Sequence, residues 1–175
     1  GFDIINAFLS VLITSKVTGG RLDLVGFVLS YYMFMRVILE IPLSKLTSKF
    51  SHANKKNVVA VSYFLYGIVI ASLGFSTEIW HIFFLQTFVA LFDAAAYPLK
   101  WTIFSEIIDR DNAEFEWGLE DVLSTLVTAI FAAIGGIVSD RFGLQSLFVI
   151  FGILFSASGY AFYFIKLNAI KKRKS

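Results

Sequence analysis

Residues Ile79–Ile108 read IWHIFFLQTFVALFDAAAYPLKWTIFSEII. A helix that crosses ~30 Å of hydrocarbon needs roughly 20 predominantly apolar residues. This run exceeds that length, so it predicts a helix that spans a bilayer and protrudes from it. Similar runs lie on both sides: about Phe2–Val17, Leu24–Leu46 and Asn57–Phe75 before it, and Leu119–Ser139 and Leu144–Leu167 after it. Only helices and closed barrels satisfy their backbone in lipid, and these runs are continuous rather than alternating. The expected fold class is therefore all-α: one polytopic membrane domain over residues 1–175, with six transmembrane helices.

The composition agrees. Of 175 residues, 57% are hydrophobic, 16% are charged and 20 are Phe, and mean hydropathy is +0.75. Soluble domains carry about 25% charged residues, and a soluble chain of this size has too much surface to hide so much apolar material. A net charge of +2 is too small to argue for nucleic acid. The absence of cysteine excludes disulfides and thiolate chemistry. His52 and His81 lie at different predicted loops and form no metal-ligand spacing, so no cofactor is expected. No signal peptide is recognisable. Gly1 in place of Met, with a first segment shorter than the others, points to a chain cut from something longer.

Lys and Arg concentrate in cytoplasmic loops. Lys45, Lys49, Lys55 and Lys56 fall between segments two and three, and Lys166, Lys171, Lys172, Arg173 and Lys174 in the tail. The opposite face has only Lys16, Arg21 and Arg141. Both termini are therefore expected in the cytoplasm, with the acidic loop Asp109–Glu120 on the same face. The basic tail is sufficiently explained as a topology determinant, although it could touch anionic lipid.

Polar residues inside the spans mark candidate sites, because a charge at the bilayer centre costs ~2.5–3.5 kcal/mol on insertion scales and normally faces a cavity or a partner. Asp3, Asn6, Ser10 and Thr14 are three and four residues apart and form a stripe on the first segment. Arg36 and Glu40 are one turn apart on the second. Asp93, Tyr97 and Lys100 share a face of the fourth, with Pro98 between them. Glu120 and Asp121 open the fifth, which continues through Thr125, Thr128 and Gly135. Segments three and six carry only scattered polar residues and read as lipid-facing.

Arg36 and Asp93 lie at similar depth in similarly directed segments, which predicts an ion pair, with Glu40–Lys100 as a second. Such pairs serve either as structural ties between helices or as substrate and proton contacts. Asp3 alone could be a helix N-cap. Gly135-Gly136 reads as a helix-packing site, and His81 beside Trp80 as part of the interfacial belt.

This layout resembles one half of a major facilitator superfamily transporter. The stretch Ser44-Lys45-Leu46-Thr47-Ser48-Lys49-Phe50-Ser51, followed by Lys55-Lys56, resembles a degenerate form of the family's Gly-x-Leu-x-Asp-Arg-x-Gly signature. Gly135-Gly136-Ile137-Val138-Ser139-Asp140-Arg141-Phe142-Gly143 resembles the family's junction of fifth and sixth helices, and Phe115-Glu116-Trp117-Gly118 its approach to the fifth. The resemblance implies two six-helix halves, with the first and fourth helices of each lining a cavity and the third and sixth outside. The degenerate signature is more typical of the C-terminal half.

Ser48 stands where the family has Asp, so the usual cytoplasmic charge network is altered; Lys49 is expected to meet Glu120 or Asp121 instead. The implied function is secondary active transport of a small solute by alternating access, in the plasma (inner) membrane. Asp93, Glu40 and Asp3 are the candidate protonatable groups if a proton couples transport. The partners expected are the solute, the bilayer and a second six-helix half, from the same polypeptide or a second copy. No phosphate-binding Gly-rich loop is present. A non-transporting assembly subunit and an intramembrane enzyme are the alternatives, and the latter lacks a Ser–His or paired-Asp arrangement within the spans.

Overall fold

The computed structural model describes residues 2–17, 19–108 and 112–164. The basic tail from Lys166 onward therefore lies outside the described residues, as does the side chain of Asp3. Among the described residues there are five α-helices: α1 (Phe2–Leu12), α2 (Leu22–Thr47), α3 (His52–Leu73), α4 (Ile79–Ile107) and α5 (Ala113–Tyr163), with a π-helical turn Ile13–Val17 after α1. Helices α2 to α5 are long and apolar enough to cross a membrane.

The count differs from the six expected, because the last two segments run together in α5. That helix is not a straight rod. Gly143 breaks it with φ 82° and ψ 160°, a region open essentially to glycine alone. A straight helix would hold residues 135 and 147 ~18 Å apart, yet a Cβ built on Gly135 would lie 3.4 Å from Leu147 Cδ1. Ser124 and Phe131 also line the same cavity as Phe151 and Ser158. The α5 chain thus doubles back at Gly143 into two limbs, residues 113–142 and 144–163.

Other boundaries moved for local reasons. Helix α3 begins at His52 rather than Asn57, because Ser51 caps it and accepts from the Asn54 N–H at 3.4 Å. At the same end of α3, Lys56 Nζ donates to the Tyr163 carbonyl at 2.6 Å, joining its first turns to the close of α5. At the head of α4, the Glu78 N–H donates to His81 Nδ1 at 3.3 Å. Trp80 next to it is exposed, as an interfacial residue would be.

Helix α2 packs on α4, α4 on α3, and α3 on α5, while α1 lies against α5. The core gathers Ile5 and Leu9 of α1, Tyr32 of α2, Ile70 of α3, Ile82 of α4 and Phe148 of α5, all at most 2% exposed. Burial from water cannot drive helices together in lipid, so close packing must.

The tightest packing runs between α3 and the second limb of α5. A Cβ on Gly67 would collide with the Gly152 carbonyl and Ser156, and one on Gly159 would come 2.6 Å from the Ala60 carbonyl. Ser156 Oγ donates across the seam to the Phe64 carbonyl at 3.0 Å. The third and sixth segments were expected to face lipid; each is exposed on one side only, with this glycine seam on the other. Gly135 also packs as expected, with Phe8 ring atoms 2.8 Å from its Cβ position, but Gly136 faces open space.

Candidate functional site

Arg36 and Asp93 each lie fourteen residues past the first residue of their helices, Leu22 and Ile79. Helices α2 and α4 run in the same direction, so equal distance along the chain becomes equal depth. Tyr31 meets Thr87 at 2.8 Å, Arg36 meets Asp93 about one and a half turns later, and Tyr97 follows. The expected pair forms: Arg36 Nη1 lies 3.3 Å from Asp93 Oδ2.

Two neighbours extend it. Tyr32, one turn before Arg36 and 1% exposed, donates its hydroxyl to Asp93 Oδ2 at 2.6 Å. Arg36 Nε lies 3.3 Å from Glu40 Oε2, without an aligned hydrogen bond, so that contact is coulombic. The guanidinium carbon sits 4.4 Å above the Tyr97 ring, in cation–π range. One guanidinium therefore serves two carboxylates, and its flat face is held by an aromatic ring. The Asp93 side chain is 16% exposed and Arg36 25%, so the group is only partly open.

The second expected pair, Glu40–Lys100, does not form. Glu40 is one helical turn from Arg36 and is captured by it, while Lys100 Nζ lies 3.9 Å from Glu120 Oε1 on α5. Lys49 is exposed at the end of α2, and among the described residues it makes no ion pair with Glu120 or Asp121. The acidic start of α5 thus meets a cation from α4 rather than one from the loop after α2.

Aromatic packing reinforces that junction. Trp101 stacks on Trp117 with ring centroids 5.3 Å apart, Phe104 meets Trp117 edge-on at 4.9 Å, and Lys100 Nζ lies 4.5 Å from the Trp101 ring. Tyr97 touches Trp101 at 6.0 Å, so contacts run without a gap from Arg36 to the start of α5.

The polar stripe of α1 keeps to itself. Ser10 Oγ donates to the Asn6 carbonyl at 2.7 Å and Thr14 Oγ1 to the Ser10 carbonyl at 2.9 Å. Asn6 Oδ1 is buried without a hydrogen-bond partner. The α2–α4 cluster does not include these residues.

Sequence reasoning missed Tyr32 and the tryptophan stack. Tyr32 sits four residues before Arg36, which was a usable signal; the meeting of Trp101 with Trp117 depends on how the chain returns between α4 and α5, which spacing does not encode.

Residues 1–175 match the family model described as Major Facilitator Superfamily. No curated protein and no solved structure matches the chain.

Proposed function

Because the chain belongs to the major facilitator superfamily, we propose that it forms one six-helix half of a secondary transporter that moves a small solute by alternating access. In this reading the two limbs of α5 are the fifth and sixth membrane passes, the termini are cytoplasmic, and the membrane is the plasma (inner) membrane. The second half comes from the same polypeptide or from another copy, and the degenerate signature after α2 favours the C-terminal position.

The observation that carries this reading is the Arg36–Asp93 pair, held in the middle of two helices with its charges shared rather than cancelled. Two carboxylates against one guanidinium leave a net negative charge in a low-dielectric region, where it is costly. A proton delivered to Asp93 removes that charge and frees Arg36 to close on Glu40. A cationic group of a substrate would have the same effect. This two-position arrangement couples occupancy to helix packing, since α2 and α4 are tied through it. Asp3, Asn6 and Ser10 on α1 extend the proposed pathway, with Tyr97 and Lys100 on α4. The Lys100–Glu120 contact serves as part of the cytoplasmic gate, with Asp121 beside it; Lys49 joins it only if α2 and α5 approach in another conformation.

Solute uptake into proteoliposomes holding the full-length transporter, screened with and without an imposed proton gradient, tests this. Saturable uptake that the gradient stimulates, and that Asp93→Asn lowers at least tenfold, is the expected result. Unchanged uptake in both Asp93→Asn and Arg36→Gln would remove the pair from the mechanism.

A further inference from the structure

The polar face of α4 is longer than the charged cluster uses. Gln86, Ala90, Asp93, Tyr97 and Lys100 alternate four and three residues apart, which places them in one stripe along the helix. Gln86 lies midway between Ile79, at the head of α4, and Asp93, ~10.5 Å along the axis from each. Ala90 is the stripe residue between it and Asp93, so no bulky side chain of the stripe separates the two polar groups. Gln86 is 1% exposed, and its Oε1 has no hydrogen-bond partner among the described residues. A buried carbonyl oxygen without a donor is destabilising. An apolar side chain of similar size would fill this position at lower cost, so packing does not account for a glutamine here.

Exposure along the stripe is graded. Ala90 is fully buried, the Asp93 side chain is 16% exposed and Tyr97 is 40% exposed. The stripe is thus covered by its own chain at the Gln86 end and opens from Asp93 onward. Beside Gln86 the closure comes from α2. The Tyr31 and Thr87 hydroxyls meet at 2.8 Å, and the Tyr31 ring stands edge-on to Phe83 with centroids 5.2 Å apart. Thr87 is the next residue after Gln86 and Phe83 is one turn before it. Tyr32, which donates to Asp93, adjoins Tyr31, so adjacent residues of α2 carry the closure and the charged cluster.

We propose that Gln86 is a further solute-binding residue, whose amide oxygen accepts from a hydroxyl, amine or amide N–H of the solute once the heads of α2 and α4 part. The inference rests on the transport reading of the Arg36–Asp93 pair. It adds to that reading the stretch of path on the side opposite the chain termini. Release of Arg36 from Asp93 weakens the packing of α2 on α4, and the Tyr31–Thr87 bond then holds Gln86 shut. A resident water is the competing partner for the same oxygen.

Gln86→Cys places a single thiol of this chain at the site. The variant is made in the full-length transporter with the other half's cysteines removed, and oriented vesicles are treated on each face with a small, charged, membrane-impermeant methanethiosulfonate. Modification from the face opposite the termini is expected, and Thr87→Val, which removes the closing hydroxyl, should speed it severalfold. In proteoliposome uptake, Gln86→Leu should raise KM severalfold with kcat little changed, and Gln86→Asn, which keeps an acceptor, should restore part of the affinity. The thermal midpoint of Gln86→Leu should be equal or higher, which separates lost binding from misfolding. An unmodified Gln86→Cys, in a transporter whose Tyr97→Cys variant is labelled from both faces, would overturn the proposal and leave the transport reading standing. An unchanged KM in Gln86→Leu would also overturn it and assign the amide to a resident water.

Discussion

Two groups converge on one carboxylate oxygen of Asp93, a tyrosine hydroxyl at 2.6 Å and a guanidinium at 3.3 Å, and that guanidinium also faces a second carboxylate, Glu40. Hydrogen bonds to charged groups contribute about 1.5–3 kcal/mol. Tyr32→Phe, which keeps the ring and removes the hydroxyl, is therefore expected to lower the thermal midpoint of the purified protein by several degrees. An unchanged midpoint would mean that Arg36 alone holds Asp93. Exchanging the charges, with Arg36→Asp and Asp93→Arg together, should recover part of the uptake lost in either single variant, whereas no recovery would show that each residue contacts something else. The Arg36–Asp93 meeting was legible because depth along two similarly directed helices can be counted. The fate of Glu40 and Lys100 was not, because long side chains choose among partners at equal depth by helix rotation, which counting does not give.

At the scale of elements, the closest approaches are made by glycines. Gly67→Val would place a side chain against the Gly152 carbonyl; overpacking of this kind costs about 1–3 kcal/mol. Gly136, which faces open space, should accept Ala without loss, and the pair of variants separates seam packing from general glycine effects in a detergent unfolding titration. Gly143→Ala should also destabilise, by about 1–3 kcal/mol, since its backbone region is essentially closed to other residues. A stable, fully active Gly143→Ala protein would mean that the limbs of α5 do not need this turn. The long apolar runs were plain in the sequence, with their ends shifted by a few residues where a cap such as Ser51 intervened. The α3–α5 seam was not, because scattered glycines in an apolar run carry no mark of the partner they face. The junction within α5, by contrast, was legible, since Arg141-Phe142-Gly143 reads as a loop between two helices and Gly143 breaks the helix there.

Across the whole molecule, α2 carries a broad apolar face, with Phe27, Phe34, Val37 and Ile41 all more than 60% exposed. The first limb of α5 exposes Val122, Leu126, Ile130 and Ile134. Lipid or a second half must cover these faces, and the charged cluster lies between α2 and α4. The central proposal is that this cluster sits on a path open in turn to both sides of the membrane. This chain contains no cysteine, so Tyr97→Cys introduces a single thiol into it beside Arg36. Labelling of that thiol by a membrane-impermeant maleimide, applied separately to each face of oriented vesicles holding the full-length protein with the other half's cysteines removed, is the decisive measurement. Labelling from both faces is the expected result, and labelling from one face only, or from neither, would contradict alternating access at this site.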